Sequence, residues 1–183
     1  LYLQANQPTR IDSDLDTVIP EAFFDAIIAS EDQSFYQHIG ADPIGILRAS
    51  WANLLAGRVI QGGSTLTQQT SELLFEHRPE HGEGRWANKA LETLDALRLE
   101  ARYSKRDILE FYTNLFHVHG TGQGLAIAAR YYFNKNVSDL NLSEIAFIAG
   151  AVKGPANYNP FRTQNPEEIQ RIVERATERR DYV

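Results

Sequence analysis

The chain has 183 residues, a formal net charge of −6 and an apolar fraction of 43%, which together predict one compact domain with its own core. The negative charge argues against a nucleic-acid partner, and the absence of cysteine excludes disulfides and cysteine-based metal sites. No stretch reaches the roughly 20 apolar residues that span a bilayer, and no secretory signal pattern is present. Because the chain begins and ends abruptly, we expect residues 1–183 to be a single domain cut from a longer protein.

Helical periodicity dominates the chain. Asp42-Pro43 combines a capping side chain with a proline, which is typical of a helix N-terminus, and Gly57 is typical of a helix end. The segment 77–84 is rich in glycine and charge and predicts a loop, while Arg58 to Ile60 suits a brief extended piece. The predicted helices are, in chain order, 18–33, 43–56, 64–75, 86–102, one opened by Ser104 and Asp107, 124–133, 142–152 and one opened by Asn165-Pro166.

Two polar segments stand out against these helices. Residues 31–38 read Glu-Asp-Gln-Ser-Phe-Tyr-Gln-His, and residues 62–69 read Gly-Gly-Ser-Thr-Leu-Thr-Gln-Gln. Hydroxyls and amides are rarely placed in a core, because a buried polar group without a partner costs about 1–3 kcal/mol. A carboxylate beside such a loop is what a sugar-handling cleft needs.

Five blocks of the sequence, in the same order, resemble the peptidoglycan glycosyltransferase (transglycosylase) domain of penicillin-binding proteins and monofunctional transglycosylases, glycosyltransferase family 51. Each block alone is a moderate signal, but five in the right order are very specific. The blocks lie within residues 27–40, 62–69, 89–114, 124–135 and 142–160.

The resemblance implies an all-α, lysozyme-like fold with a small, mobile, apolar jaw lobe at about residues 44–80 that faces a membrane. It also implies the polymerisation of lipid II: the 4-hydroxyl of an acceptor sugar attacks the anomeric carbon of the growing chain, a β-1,4 bond forms with inversion, and undecaprenyl pyrophosphate leaves. The apolar residues of the helix after Pro43 would form the jaw surface. The alternative is that this helix is simply amphipathic and contributes to the core.

Site roles follow from the same match. Glu31 corresponds to the general base that takes the proton of the acceptor hydroxyl, and Glu92 to a second catalytic carboxylate on the donor side. Departure of pyrophosphate needs cations and hydrogen-bond donors. The residues assigned to substrate binding are Asp32, Ser64, Thr65, Thr67, Gln68, Gln69, Arg85, Lys89 and Lys153.

Simpler interpretations of these residues stay open at this point. Glu31 is also what a solvated helix end contains, Glu92 with Lys89 is also an ordinary surface pair at i, i+3, and Ser64 is also a helix cap. His38 is expected to have a structural role. His117 and His119 are weak evidence for a metal.

The implied partners are lipid II, the growing glycan chain and the membrane surface, at the periplasmic or extracytoplasmic face of the bacterial cytoplasmic (inner) membrane. No metal ligand is assigned, although a divalent cation, Mg²⁺ or Mn²⁺, at the pyrophosphate is left open. Whether a transpeptidase domain follows is left open too.

Three positions depart from the family pattern. Where the family usually has Lys-Asn after the two glutamines, this chain has Glu72 and Leu73, and Asn88 replaces an arginine before Lys89. A carboxylate near pyrophosphate repels it. The alternative function is therefore a degenerate domain that binds lipid II or a partner with little turnover. A lytic muramidase is a third option, against which the Thr-Gln-Gln block argues.

Overall fold

The computed structural model describes residues 18–58, 62–75 and 85–183. These residues form an all-α fold with one small hairpin, and the all-α, lysozyme-like class expected from the sequence is confirmed. The helices are α1 Glu21–Glu31, α2 Pro43–Ala56, α3 Leu66–Phe75, α4 Arg85–Glu100, α5 Lys105–Leu115, α6 Leu125–Phe133, α7 Leu142–Val152 and α8 Pro166–Tyr182. Short 3₁₀ turns lie at Phe35–Gln37, Val137–Asp139 and Pro160–Arg162.

Most helix ends follow the predicted capping chemistry. Asp42 accepts from the amide of Gly45 at the start of α2, and Gly57 ends that helix in the left-handed conformation. Asn165 caps α8 in the same way. The Asp107 carboxylate and the Ser104 backbone and side chain bond reciprocally at the start of α5. These signals are local in sequence, so they hold whatever the tertiary surroundings.

Three details differ from the prediction or lie beyond it. Helix α3 begins at Leu66 rather than Ser64, because Thr65 serves as its cap: the Thr65 hydroxyl accepts from the amide of Gln68. A hairpin pairs β1 His117–Val118 with β2 Gly122–Gln123, and strands of two residues are too short for an alternating pattern. The predicted loop 77–84 and the extended piece at Val59 and Ile60 lie outside the described residues.

The chain divides into two compact units. The first comprises Leu1–Ser30 and Thr113–Val183 and includes α7 packed on α8. The second comprises Glu31–Tyr112 and includes α3 packed on α4. Nearly every residue predicted to bind substrate or act in catalysis belongs to the second unit.

Helix α2 contributes little to the core of the second unit. Only Ala49 of this helix is buried, whereas Leu47, Trp51 and Leu54 expose about two thirds or more of their surface. The interpretation of α2 as an amphipathic core helix is therefore wrong. The jaw lobe at 44–80 stays a prediction, now with an exposed apolar helix at its centre.

Candidate active site

Glu31 is the last residue of α1 and is only partly buried. The side-chain amide of Gln69 in α3 lies beside it, with Nε2 3.5 Å from Oε2 of the carboxylate. The carbonyl oxygen of the same amide lies 3.2 Å from the hydroxyl of Tyr112 in α5. Residues from three helices thus meet at the predicted base.

Asp32 is buried, and its carboxylate accepts a hydrogen bond from a backbone amide. Its Oδ2 accepts from the amide of Leu66 at 2.9 Å and from Nε2 of His38 at 2.9 Å. The Nδ1 atom of His38 accepts from the amide of Gly40, which assigns the proton of the neutral ring to Nε2. Asp32, the residue next to Glu31 in the sequence, therefore holds the start of α3 in place. His38 has the structural role expected of it.

Thr65 and Gln68 are buried, and their hydrogen bonds hold the polar segment 62–69 in place. The Thr65 amide donates to Oε1 of Gln68 at 3.0 Å, and the Thr65 hydroxyl donates to the carbonyl of Gly40 at 2.7 Å. The side-chain NH₂ group of Gln68 also donates to the hydroxyl of Thr93. The backbone amides of Leu66 and Gln68 in the first turn of α3 are thus engaged within the protein and do not face a phosphate.

Thr67 contacts a pair of charged residues, Glu100 and Lys105, to which the sequence analysis assigned no role. Its hydroxyl donates to Glu100 at 2.6 Å, and the same carboxylate oxygen accepts from Lys105 at 2.7 Å. Lys105 also donates to the carbonyl of His38 and lies over the ring of Phe35. Glu100 and Lys105 belong to the third matching block, but no local pattern shows that they converge on α3.

Ser64, Lys89 and Glu92 form the second polar group of the site. The Lys89 ammonium donates to the Ser64 hydroxyl at 2.7 Å and to the carboxylate of Glu92. Glu92 is buried, and its backbone carbonyl accepts from Ser71. The pair is thus not an ordinary surface pair, because its acidic member is removed from solvent, while 40% of the Lys89 side chain stays exposed.

The remaining positions singled out in the sequence belong to α3, α4 and the end of α7. Lys153 caps the C-terminus of α7 in the first unit and is exposed. Arg85 begins α4, but its side chain lies outside the described residues. Glu72 is exposed on α3, and Asn88 is partly buried on α4.

Neither a metal cluster nor a membrane span occurs among the described residues. In that part of the chain, no three His, Asp or Glu side chains converge as metal ligands would. None of the helices there combines the length and the apolar character needed to cross a bilayer.

Comparison with known proteins identifies the family to which this helical domain belongs. The transglycosylase family model matches residues 3–183. The chain therefore belongs to the transglycosylase family, the glycosyltransferases of peptidoglycan synthesis. The resemblance that the five motif blocks predict is confirmed.

Among curated proteins the chain is similar to penicillin-binding proteins. It is 43% identical to penicillin-binding protein 1B of Haemophilus influenzae over 84% of the chain and 20% of that protein. It is 41% identical to penicillin-binding protein 1A of Aquifex aeolicus, over 90% of the chain and 21% of that protein. With penicillin-binding protein 1A of Vibrio cholerae it shares 39% identity over all of the chain and 20% of that protein. The chain spans about a fifth of the length of these relatives.

Proposed function

We propose that this domain polymerises lipid II into β-1,4-linked glycan strands, with inversion at the anomeric carbon and release of undecaprenyl pyrophosphate. One observation carries the proposal. The segment 64–69 contacts one predicted catalytic carboxylate directly and the other through a lysine: Gln69 at its end donates to Glu31, and Ser64 at its start accepts from Lys89, which also donates to Glu92. The backbone of a six-residue segment with this partly helical geometry spans at most about 12 Å, the scale of one sugar-binding site.

Glu31 is the general base in this proposal. The acceptor 4-hydroxyl gives its proton to the carboxylate as its oxygen bonds to the anomeric carbon of the donor, and the bond from that carbon to pyrophosphate breaks. An inverting reaction needs room for the acceptor between the base and the donor sugar, as inverting hydrolases leave room for water. The partial exposure of Glu31 at a helix end suits that need.

Lys89 and Glu92 serve the leaving group. A pyrophosphate that departs gains negative charge, which an ammonium group stabilises. Within the described residues Lys89 uses two of its three N–H donors, which leaves one for a phosphate oxygen, and 40% of its side chain is exposed. The buried carboxylate of Glu92 holds the ammonium in place, so its contribution to the donor side acts through Lys89.

The described residues do not offer a set of ligands that could hold a divalent cation without the substrate. Oxygen-rich sites bind Mg²⁺ through converging carboxylates, whereas here the Glu92 carboxylate is already paired with Lys89. Among the described residues, Lys89 and Ser64 are the groups that we assign to the pyrophosphate.

The exposed apolar face of α2 supports a membrane surface as partner. Its residues Ile44, Leu47, Trp51, Leu54 and Leu55 belong to a helix with a single charged side chain, Arg48, and a lipid-linked substrate is reached from the bilayer. We infer that the domain works at the extracytoplasmic face of the bacterial cytoplasmic membrane, with the growing glycan chain as its second ligand. We also propose a transpeptidase domain of the same protein as a partner, since the relatives are penicillin-binding proteins and the chain spans only about a fifth of their length.

The test is a polymerisation assay on labelled lipid II. Glu31→Gln is isosteric but cannot accept a proton, so turnover should fall roughly 10²–10⁴-fold. Glu178→Gln, which makes the same change on an exposed part of α8, should leave turnover unchanged. Near-normal turnover by Glu31→Gln would refute the assignment of the base. A wild type that binds lipid II without polymerising it would instead establish the degenerate binder.

A further inference from the structure

Gln69 has a side chain whose two ends meet different partners. Its Nε2 atom lies 3.5 Å from a carboxylate oxygen of Glu31, and its Oε1 atom lies 3.2 Å from the hydroxyl of Tyr112. An ionised carboxylate can only accept hydrogen bonds, so the NH₂ end of the amide must face Glu31. The carbonyl end then faces Tyr112, which must donate. The chemistry of the three groups thus fixes the direction of both bonds.

Tyr112 is buried and keeps its hydroxyl proton, so it can donate to Gln69. Its side chain is among the largest fully buried ones, in a helix of the same unit. Burial, and to a smaller extent the nearby Glu31 carboxylate, raises the pKa of Tyr112 well above its usual value. The hydroxyl therefore stays protonated, and remains a donor, throughout the neutral range.

We propose that Tyr112 is a positioning residue for the Glu31 base: its hydroxyl holds the amide of Gln69 in the one orientation that donates to the carboxylate. The inference rests on the proposed role of Glu31. Without the hydroxyl, the side-chain amide of Gln69 can rotate by about 180°, which exchanges its NH₂ and carbonyl ends. Its oxygen would then face the Glu31 carboxylate, and the two oxygens repel each other. The base then loses both its fixed position and a donor that favours its charged form.

Two ionisable side chains make contacts beside Glu31 in the sequence. Asp32, the next residue, is turned to the amide of Leu66 and to His38. Arg179 donates to the carbonyl of Ser30, the preceding residue. These groups are unchanged by a substitution of Tyr112, so a shift in the acid limb of the pH profile would report the Gln69 contact.

The experiment compares Tyr112→Phe with Tyr103→Phe in the whole protein. Tyr103 belongs to the same unit and is partly exposed, with its ring packed on Phe111, so its variant controls for the loss of a hydroxyl. Tyr112→Phe should lower kcat for lipid II polymerisation about 3–10-fold with little change in KM. It should also move the acid limb of the pH profile upward by roughly half a unit, since a lost donor to the charged form raises the pKa of the base. Tyr103→Phe should do neither.

A double variant separates positioning from a merely structural role. If the hydroxyl acts through the amide, adding Tyr112→Phe to Gln69→Leu should cause no further loss of kcat. Gln69→Leu alone should move the acid limb in the same direction, which keeps the test valid if Tyr112→Phe folds poorly. Additive losses, or a Tyr112→Phe profile like that of Tyr103→Phe, would overturn the inference. Full activity of Glu31→Gln would instead overturn the proposed function on which it rests.

Discussion

At the scale of single residues, several carboxylates of the second unit hold the backbone rather than face solvent. Asp32 fixes the first amide of α3, and Asp42 accepts from the amide of Gly45 and from the hydroxyl of Ser34, the latter at 2.5 Å. The loop between α1 and α2 is thus held at both ends by side-chain acceptors. Its geometry at the α2 end should depend on whether Asp42 is ionised.

Asp42 offers a test by pH. The hydrogen bond from Ser34, followed by that from the Gly45 amide, lowers the pKa of Asp42 below its ordinary value of 3.8. Its contribution to stability is therefore fully present above the unfolded pKa and lost as the pH falls through the lower folded pKa. Asp42→Asn keeps a good capping residue but removes the charge. The difference in Tm between wild type and Asp42→Asn should be constant from pH 5 to 7 and shrink below about pH 4.

The control for this measurement is Asp25→Asn, on the exposed side of α1. Its Tm difference from wild type should not follow the same acid decline. A difference for Asp42→Asn that stays unchanged down to about pH 2.5 would show that the charge of Asp42 contributes nothing.

At the scale of elements, α3 organises the site and α2 is available for another purpose. The start of α3 is held by Asp32 and Thr65, and its body contacts Glu100, Thr93 and Tyr112. This arrangement places Ser64 and Gln69 at fixed positions. In contrast, α2 turns most of its large apolar residues to solvent, which a soluble surface rarely does over a whole helix.

Membrane association is the expected purpose of α2. Leu47→Gln combined with Leu54→Gln should weaken partitioning to phospholipid vesicles roughly 100-fold, because each leucine contributes about 1.4 kcal/mol or more when it is buried in lipid. Added salt should change wild-type binding little, since α2 has one charged residue. Cosedimentation with vesicles measures both effects.

Leu142→Gln is the matched control. Leu142 begins α7 and is as exposed as Leu47 and Leu54, at 71% for each, but it lies in the first unit. Its variant should bind vesicles like the wild type. Equal losses of vesicle binding for the control and the α2 variant would indicate nonspecific adsorption through exposed apolar residues. They would argue against α2 as a membrane-binding helix.

At the scale of the whole molecule, an acidic chain is proposed to handle an anionic substrate. With a net charge of −6, the overall field repels pyrophosphate, so attraction must come from local cations such as Lys89. Glu72 adds a negative charge to the exposed side of α3. Its effect depends on whether it lies close enough to the leaving group.

A charge reversal at this position tests that question. Glu72→Lys with Leu73→Asn should raise lipid II turnover, or tighten binding of a phosphoglycolipid inhibitor, by about 2–10-fold, in keeping with a partly exposed charge interaction. Glu178→Lys changes the net charge equally, from −6 to −4 in each case, but on α8. It should have little effect. If both variants raise turnover alike, the benefit comes from net charge, and Glu72 has no special place.

The helical class, most helix ends and the family can all be predicted from the amino-acid sequence alone. These features depend on periodicity, capping residues and motif order, which are read along the chain. The same local reasoning identified Glu31 and the segment 62–69 as polar features that a core does not need. Their catalytic and binding roles stay predictions.

The hydrogen-bond partners of the polar side chains, in contrast, become visible only in the folded chain. Asp32, Thr65, Thr67 and Gln68 turn out to be buried anchors of α3, and Tyr112 meets Gln69 across 43 positions of sequence. The exposure of the apolar residues of α2 was likewise undecided by pattern, because an amphipathic core helix and a membrane-facing helix share the same spacing. Hydrogen bonds between distant residues and the burial of a face depend on how helices pack, and that packing is a property of the whole chain rather than of any local segment.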